Sequence, residues 1–416
     1  MEPSDYCNRR KNCRLCGSQK ISRILELPAC PPVDNFRYAN EMERHLPAFP
    51  MDLFICEDCG HAQLLDVVDA KILFGNYIYT SKSSPDLDSH FSEYCNTVNS
   101  RILPAENRLV VDIGSNDGLL LSKFQKVGWR VQGIDPAAKV AALAVEAGIP
   151  TLVSFLNQEA VAEVLASNGP ADLVTANNVF SHSDDLRGFA SCVKRLLKPE
   201  GVFVFEVSYL LDLVQNKVFD YIYHEHLAHH SVAPLARFLE SIGMRLFDVE
   251  RIQTKGGSIR GFACLRDAHW ECSATIGSLV AAEHAAGLYG KNTYKELQFF
   301  IDELGARTRT ALENLAGPGP VAAYGANATS TVITHCLGVA NLLSFVIDDN
   351  PERQGRLSPG SGYPVLPRQC LIDKAPAITF IGAWRFADLI INKNAEYLGR
   401  GGAFLIPLPE FRIVRN

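Results

Sequence analysis

The sequence predicts an α/β fold in which a small cysteine-bearing N-terminal domain precedes two Rossmann-like domains. Three observations carry this prediction: two Cys-x-x-Cys pairs near the N-terminus, alternating apolar strands and amphipathic helices between about residues 105 and 265, and a second such alternation after residue 320. A chain of 416 residues is also too long for one ordinary core. We place the domains at residues 1–75, 76–290 and 291–416.

The composition favours a globular enzyme. The chain is 47% hydrophobic and carries a net charge of −6, whereas proteins that act on nucleic acid are normally basic. No apolar run approaches the roughly 18 residues of a membrane span, and the N-terminus lacks the apolar segment of a secretory signal. We therefore expect a cytoplasmic protein that binds neither nucleic acid nor a membrane.

The cysteine pairs predict one structural zinc ion. The long segment 17–55 between the pairs is expected to contain strands. A closed set of four thiolates leaves no open coordination position, which argues against catalytic zinc. The alternatives are buried free cysteines, a redox pair, or His61 as a replacement ligand. The predicted ligands are Cys13, Cys16, Cys56 and Cys59, with Gly17 and Gly60 relieving the two tight turns.

The central alternation predicts a doubly wound parallel sheet with ligands at the carboxyl ends of its strands. Its strands are RLVVDIG (108–114), RVQGID (130–135), DLVTANNVF (172–180) and GVFVFEV (201–207). A long helix at 293–315 leads to the second alternation. Its strands are VAAYGA (321–326), LLSFVIDDN (342–350), AITFIGAW (377–384) and GGAFLIPLP (401–409).

The first central strand ends in a glycine turn flanked by acids. Gly114 lets the backbone approach a ligand closely, and the spacing G-S-N-D-G is not the GxGxxG of dinucleotide sites. Acidic side chains suit the cationic sulfonium and amino group of S-adenosylmethionine (SAM) and would repel a pyrophosphate. Asp117 could instead cap the following helix. The predicted SAM-binding residues are Asp112, Gly114, Asn116, Asp117, Asp135, Asn177 and Asn178.

The segment FDYIYHEHLAHHS (219–231) crowds aromatic and histidine side chains around Glu225. Together with CRLC…CEDC, VVDIGSNDGLLL, GVFVFEVSYLLDLV, KGGSIR, YGANATSTV and FVIDDNPERQGRLSPG, it resembles the SAM-dependent sugar C-methyltransferases of the tetronitrose type. The resemblance covers nearly the whole chain, in the same order. It implies methyl transfer from SAM to a ring carbon, mostly carbon 3, of a dTDP-linked 4-keto deoxysugar in branched deoxysugar biosynthesis.

The resemblance also implies roles for individual residues. His226 would remove the proton next to the ketone, and Glu225 could orient this histidine or raise its basicity. We expect His229 and His230 to form pocket wall. The other implied residues are Tyr223 beside the base, His182 on the sugar or enolate, Tyr77 approaching from the zinc domain, and Tyr79 as a neighbour that contacts substrate.

The remaining candidates concern substrate binding. Lys255 and Arg260 in KGGSIR form a candidate phosphate or sugar clamp, and Tyr324 lies where a Rossmann-like third domain would bind nucleotide. The alternative functions are O- or N-methylation of a sugar or other small molecule, and an RNA-binding or non-catalytic module, which the acidic balance disfavours. We expect a monomer or a weak homo-oligomer.

Overall fold

The computed structural model describes residues 6–41, 45–74, 80–81, 85–102 and 106–416. Its larger sheets have four, seven and six strands. Apolar side chains of all three regions belong to one continuous buried cluster, and the central and C-terminal sheets each add a further buried cluster on one side. Within the described ranges, every helix falls short of what a bilayer crossing would require.

The N-terminal region is built from short strands. β2, β3 and β4 are consecutive antiparallel neighbours, and β1 pairs with β5 in a separate ribbon. The elements are β1 (Cys7–Arg9), β2 (Ile21–Leu25), β3 (Leu53–Cys56), β4 (Ala62–Leu64), β5 (Asp66–Val68) and α1 (Ala70–Phe74); helix α2 (Pro85–Arg101) follows and packs on the central sheet.

The central region alternates strands and helices. Its elements are β6 (Leu109–Ile113), α3 (Leu119–Lys126), β7 (Arg130–Asp135), α4 (Ala138–Glu146), β8 (Thr151–Val153), α5 (Gln158–Asn168), β9 (Ala171–Asn177), α6 (Leu186–Leu196), β10 (Leu197–Ser208), α7 (Leu210–Gln215), β11 (Ala228–His229), α8 (Val232–Ser241), β12 (Met244–Ile252), β13 (Ser258–Leu265) and α9 (Ala274–Ala285).

The seven-stranded sheet has the order β12-β13-β10-β9-β6-β7-β8. The five strands from β10 to β8 are parallel, whereas β13 runs antiparallel to both of its neighbours. All five residues of β6 are buried, as expected of a central parallel strand covered by helices on both faces. The carboxyl ends of β6, β7, β9 and β10 therefore meet at one edge, where a ligand site is expected.

The C-terminal region carries the third sheet, with the order β16-β15-β14-β17-β18-β19. Helix α10 leads into it and buries one stripe of side chains spaced three or four residues apart. The elements are α10 (Lys291–Ala316), β14 (Val321–Tyr324), α11 (Ala328–Cys336), β15 (Phe345–Ile347), β16 (Val365–Leu366), α12 (Cys370–Lys374), β17 (Ile378–Ile381), α13 (Ala387–Lys393), α14 (Ala395–Gly399), β18 (Ala403–Ile406) and β19 (Arg412–Val414).

The structure confirms the predicted fold class of two Rossmann-like sheets behind a small cysteine-bearing lobe. Every strand predicted from the two alternations is present, and the helix predicted at 293–315 is α10. The sequence did not reveal the short strands β8, β11, β16 and β19, nor the β12–β13 hairpin, because such elements give little periodic signal. The domain boundaries at 75/76 and 290/291 stay predictions.

Strand β11 has a special position among these elements. It belongs by sequence to the central region but pairs with β4 of the N-terminal sheet, Ala228 opposite Gln63 and His229 opposite Ala62. The backbone amide of Leu64 also donates to the carbonyl of Leu227 at 3.0 Å. The N-terminal sheet thereby fixes the chain immediately after the FDYIYHEH segment.

Candidate active site

The glycine turn after β6 has the close backbone approach that the sequence predicts. Gly114 has a φ of 69°, and a Cβ there would lie 2.4 Å from a methyl of Val179. The Asp135 carboxylate, at the end of β7, accepts backbone N–H bonds from Asn116 and Ala137 at 2.8 Å each. The buried Asp135 carboxylate therefore holds together the turn that follows β6 and the turn that follows β7.

Asp112 supplies a second buried acid at the same edge. One of its oxygens accepts a hydrogen bond from Thr175 Oγ1 at 2.6 Å. Burial raises the pKa of Asp112 to about 7, since desolvation disfavours the carboxylate more than the Thr175 hydrogen bond favours it. A cation bound nearby would restore the charged form.

One cavity of about 340 Å³ opens at this edge of the sheet. Lys255 is the sole lysine or arginine among its described lining residues. Asp112 and Asp135 therefore face little competing positive charge, and their carboxylates fit a cationic SAM. The predicted residues that line the cavity are Asp112, Gly114, Asn116, Asp135, Asn177, Asn178, His182, Tyr223, Glu225, His226 and Lys255.

Among the described residues predicted to bind SAM or substrate, Asp117, Tyr324 and Arg260 lie outside this cavity lining. Asp117 is buried and accepts the backbone N–H of Leu119 at 3.3 Å, but the N-cap of α3 is Gly118, so Asp117 is not the helix cap that the sequence left open. Tyr324 lies on β14, where its hydroxyl donates to Asp349 at 2.8 Å. Tyr77 and Tyr79 lie outside the described residues.

Arg260 does not reach the cavity. Its guanidinium is buried against Glu206 at 2.8 Å and Glu250 at 3.2 Å, and it lies over the ring of Tyr94. Both carboxylates are already its partners, so the geometry does not support the phosphate clamp expected from KGGSIR. Lys255, from the same motif, is the residue that faces the cavity.

His226 is oriented by backbone. Its Nδ1 lies 2.7 Å from the carbonyl oxygen of Tyr221, so Nδ1 carries the proton and Nε2 holds the lone pair in the neutral ring. The orienting partner is therefore a carbonyl, where the sequence had suggested Glu225. Burial, with His182 second, lowers the pKa of His226 well below its usual range. The ring is thus neutral at pH 7.

Aromatic and polar groups surround this imidazole. The rings of Tyr223 and His182 lie 4.1 Å and 5.2 Å from it, centroid to centroid. Burial and then the Asp34 carboxyl raise the pKa of Glu225 well above its usual range. His229 and His230 are buried but do not line the cavity, so the expectation that they form pocket wall is wrong.

Sequence reasoning missed several residues of the lining. Phe74 stacks on His182 at 5.6 Å between ring centroids. Asp184 lines the cavity and forms an ion pair with buried Arg14 at 3.0 Å, so a residue inside the first cysteine pair reaches the active-site wall. Only long-range packing brings these residues together, and no local pattern marks them.

The four predicted cysteines form one cluster. Their Sγ atoms all lie within 4.8 Å of one another, and the Cys13–Cys59 and Cys16–Cys56 sulfurs are 3.5 Å apart. A tetrahedral zinc ion with bonds of about 2.3 Å places its sulfurs about 3.8 Å apart, so the cluster fits zinc. Gly17 and Gly60 both have a φ of 78°, which makes the two turns equivalent.

Family models match the three regions separately. Residues 13–74 match a zinc binding domain, residues 88–248 a methyltransferase domain, and residues 253–409 the C-methyltransferase C-terminal domain. Fold, cysteine cluster and cavity, taken with these matches, define a SAM-dependent methyltransferase that binds zinc.

Whole-length similarity then gives the family. The chain is 30% identical to the C-methyltransferase NovU of Streptomyces niveus over 97% of its own length and 96% of that protein. It belongs to this C-methyltransferase family, which confirms the resemblance stated from the sequence.

More distant matches cover only part of the chain. The ubiquinone biosynthesis O-methyltransferase of Paramagnetospirillum magneticum is 31% identical over 28% of this chain and 46% of that protein. The structure of magnesium protoporphyrin IX methyltransferase from Synechocystis with bound SAH has 19% identity and a TM-score of 0.34, over 42% of this chain and 82% of that one.

SAM binding should depend on pH through Asp112. The pKa of about 7 in the unliganded protein means that a cation binds fully only after this carboxyl loses its proton. We expect the SAM dissociation constant to rise by up to about tenfold per pH unit below that value, with proton release on binding. Titration calorimetry in buffers of different ionisation enthalpy measures both quantities.

The matched control is Asp172→Asn, on strand β9 but outside the cavity lining. It should keep the wild-type pH profile, whereas Asp112→Asn should flatten it. A wild-type affinity that does not change between acid and alkaline sides of that pKa would refute the role of Asp112.

Proposed function

We propose that the enzyme transfers a methyl group from SAM to carbon 3 of a dTDP-linked 4-keto deoxysugar, with His226 as the base. The observation that carries the proposal is that His226, Asp112 and Asp135 line a single cavity. The base and the methyl donor can thus reach the same carbon, and such positioning supplies much of the rate.

The tautomer of His226 supports proton abstraction. Because Nδ1–H donates to Tyr221 O, the lone pair of Nε2 is available to take the proton from the carbon next to the ketone. A neutral imidazole is ready to act without first losing a proton. Tyr223 and His182 pack on the ring and restrict its motion.

Two groups can stabilise the negative charge that develops on the ketone oxygen. Burial lowers the pKa of the Lys255 ammonium to about 8, so it stays mostly protonated at neutral pH. Burial raises the pKa of Glu225 well above its usual range, which favours the protonated carboxyl, the form that can donate a hydrogen bond. Lys255 is held in a left-handed backbone conformation with a φ of 56°, strain of the kind that clusters at functional sites.

The residues that would hold SAM are those of the glycine turn and the adjacent strand ends. Asp112, Asn116 and Asp135 line the same cavity as the histidine, as do Asn177 at the end of β9 and Asn178 just after it. SAM supplies an electrophilic methyl on a sulfonium. No metal is required for the carbon–carbon bond, and the zinc cluster contributes position.

Product analysis tests this proposal. Purified enzyme with SAM and a panel of dTDP-, GDP- and CDP-linked 4-keto deoxysugars is expected to turn over the dTDP sugar, and carbon NMR should place the new methyl on a ring carbon next to the ketone. A methyl found on oxygen or nitrogen would instead establish the O- or N-methyltransferase alternative. The matched reaction with a 4-hydroxy sugar should give no product, since carbon 3 is not acidic when it has no ketone beside it.

A further inference from the structure

The turn Phe219–Tyr221, just before the HEH segment, is clamped by the C-terminal region. Asp220 is fully buried, and its carboxylate accepts from both terminal nitrogens of Arg385 at 2.8 and 3.1 Å. The indole Nε1 of Trp384 donates to the same carboxylate at 2.9 Å. Paired charge-assisted bonds of this kind fix direction as well as distance.

The same turn orients His226. Tyr221 provides the carbonyl that accepts from Nδ1, and its ring lies parallel to the imidazole, 1° between planes at 6.0 Å. The Arg385 guanidinium lies 4.8 Å from the centre of the Tyr221 ring. Arg385 therefore contacts both Asp220 and Tyr221, and Tyr221 in turn contacts the imidazole of His226.

We propose that Asp220 and Arg385 are a positioning pair through which the C-terminal region sets the tautomer and direction of His226. The inference rests on the proposed function, in which His226 is the base. A buried ion pair is in general a poor source of net stability, because desolvation of both charges offsets their attraction. The geometry of the Asp220–Arg385 pair instead indicates that it fixes the position of the Tyr221 carbonyl, which orients His226.

The position of Arg385, just after strand β17 of the C-terminal sheet, fits its proposed role in positioning His226. Trp384 and Arg385 follow β17 at its carboxyl end, and the amide of Ala383 donates to the carbonyl of Tyr324 at 3.1 Å. This is the edge at which Rossmann-like sheets bind ligands. The Asp220–Arg385 pair thus joins that edge of the C-terminal sheet to the turn that orients His226.

Arg385→Lys tests the pair in the full-length, zinc-loaded enzyme. Lysine keeps the charge but loses the two-pronged geometry. We expect the ring ¹⁵N signals of His226 to change from a protonated Nδ1 to a mixture of tautomers. With SAM and the dTDP-linked 4-keto sugar, kcat should fall by about 10- to 100-fold while KM and the SAM dissociation constant stay within about twofold.

The control is Arg412→Lys, an arginine of the same region whose partner Asp388 is exposed. It should match the wild type in every readout. If Arg385→Lys does not fold, Trp384→Phe carries the test, because it removes one hydrogen bond from Asp220 and should shift the same ¹⁵N signals with a smaller loss of kcat.

The inference is overturned if these variants keep Nδ1 protonated and kcat unchanged, or if kcat falls only together with SAM affinity and thermal stability. Failure of the base assignment looks different. In that case His226→Gln retains exchange of the proton next to the ketone, whatever residue occupies position 385.

Discussion

Replacing His226 with glutamine is expected to lower kcat for methyl transfer by about two to four orders of magnitude, the usual contribution of a general base. Glutamine can still donate a hydrogen bond to the Tyr221 carbonyl, so the turn should keep its shape. It has no basic lone pair to replace Nε2. SAM binding should be nearly unchanged, because the acids proposed to hold SAM, Asp112 and Asp135, lie on β6 and β7, away from the segment that contains His226.

The decisive measurement is exchange of the substrate proton next to the ketone with deuterated solvent, in the absence of methyl transfer. The wild type should exchange it and His226→Gln should not. His269→Gln, at an exposed histidine paired with Glu200, is the matched control and should exchange normally. Exchange that survives in His226→Gln would assign the base to another group.

Removal of zinc is expected to produce the largest change in stability. Structural zinc contributes on the order of 10 kcal/mol of binding free energy in small domains, and that free energy is coupled to folding. Chelation, or Cys16→Ser, should unfold the sheet of β2, β3 and β4. Hydrogen exchange should then show loss of protection over residues 13–74 and also at β11, which pairs with β4.

Zinc content is the direct check on this prediction. The wild type should hold one zinc per chain and Cys16→Ser should lose it. Cys30→Ala is the matched control, since Cys30 is buried in the same lobe but is not part of the four-sulfur cluster. Full zinc occupancy and unchanged protection in Cys16→Ser would show that the other three thiols suffice.

Loss of zinc should also abolish methyl transfer, although the cluster has no chemical role. The backbone of Pro50 and Phe49 accepts from His224 Nε2 at 3.2 Å, and Arg237 donates to the carbonyl of Cys59 at 2.7 Å. With the β4–β11 pairing, these contacts fix the chain on both sides of His226. The zinc lobe therefore acts as a rigid support for the segment that contains His226.

Much of this molecule follows from short stretches of sequence. The geometry of each Cys-x-x-Cys-Gly turn depends only on residues that are adjacent in the chain. The zinc ligands could therefore be predicted without knowledge of the fold. The glycine turn after β6 and the acid closing β7 were also predictable, because parallel strands bring their carboxyl ends to one edge whatever the details of packing.

The resemblance of the FDYIYHEH segment directed attention to His226, which lines the cavity, but the group that orients its ring could be identified only from the structure. An imidazole can be held by any nearby acceptor, and the carboxyl of Glu225 was the obvious choice in the sequence. The carbonyl of Tyr221 takes that role because the turn Phe219–Tyr221 bends the backbone back toward the ring. A hydrogen bond to a backbone carbonyl cannot be predicted from the side chains in the sequence, because every residue has such a carbonyl.

The sequence by itself determined the fold class, the cysteine cluster and the glycine turn after β6, because each depends on residues that are neighbours in the chain or on the regular spacing of strands and helices. Only the tertiary structure decided between Lys255 and Arg260, and only it joined Asp220 to Arg385. A buried charge takes whichever partner the packing brings near it. For Arg260 the partner is Glu206, 54 residues away, and for Asp220 it is an arginine 165 residues further along the chain.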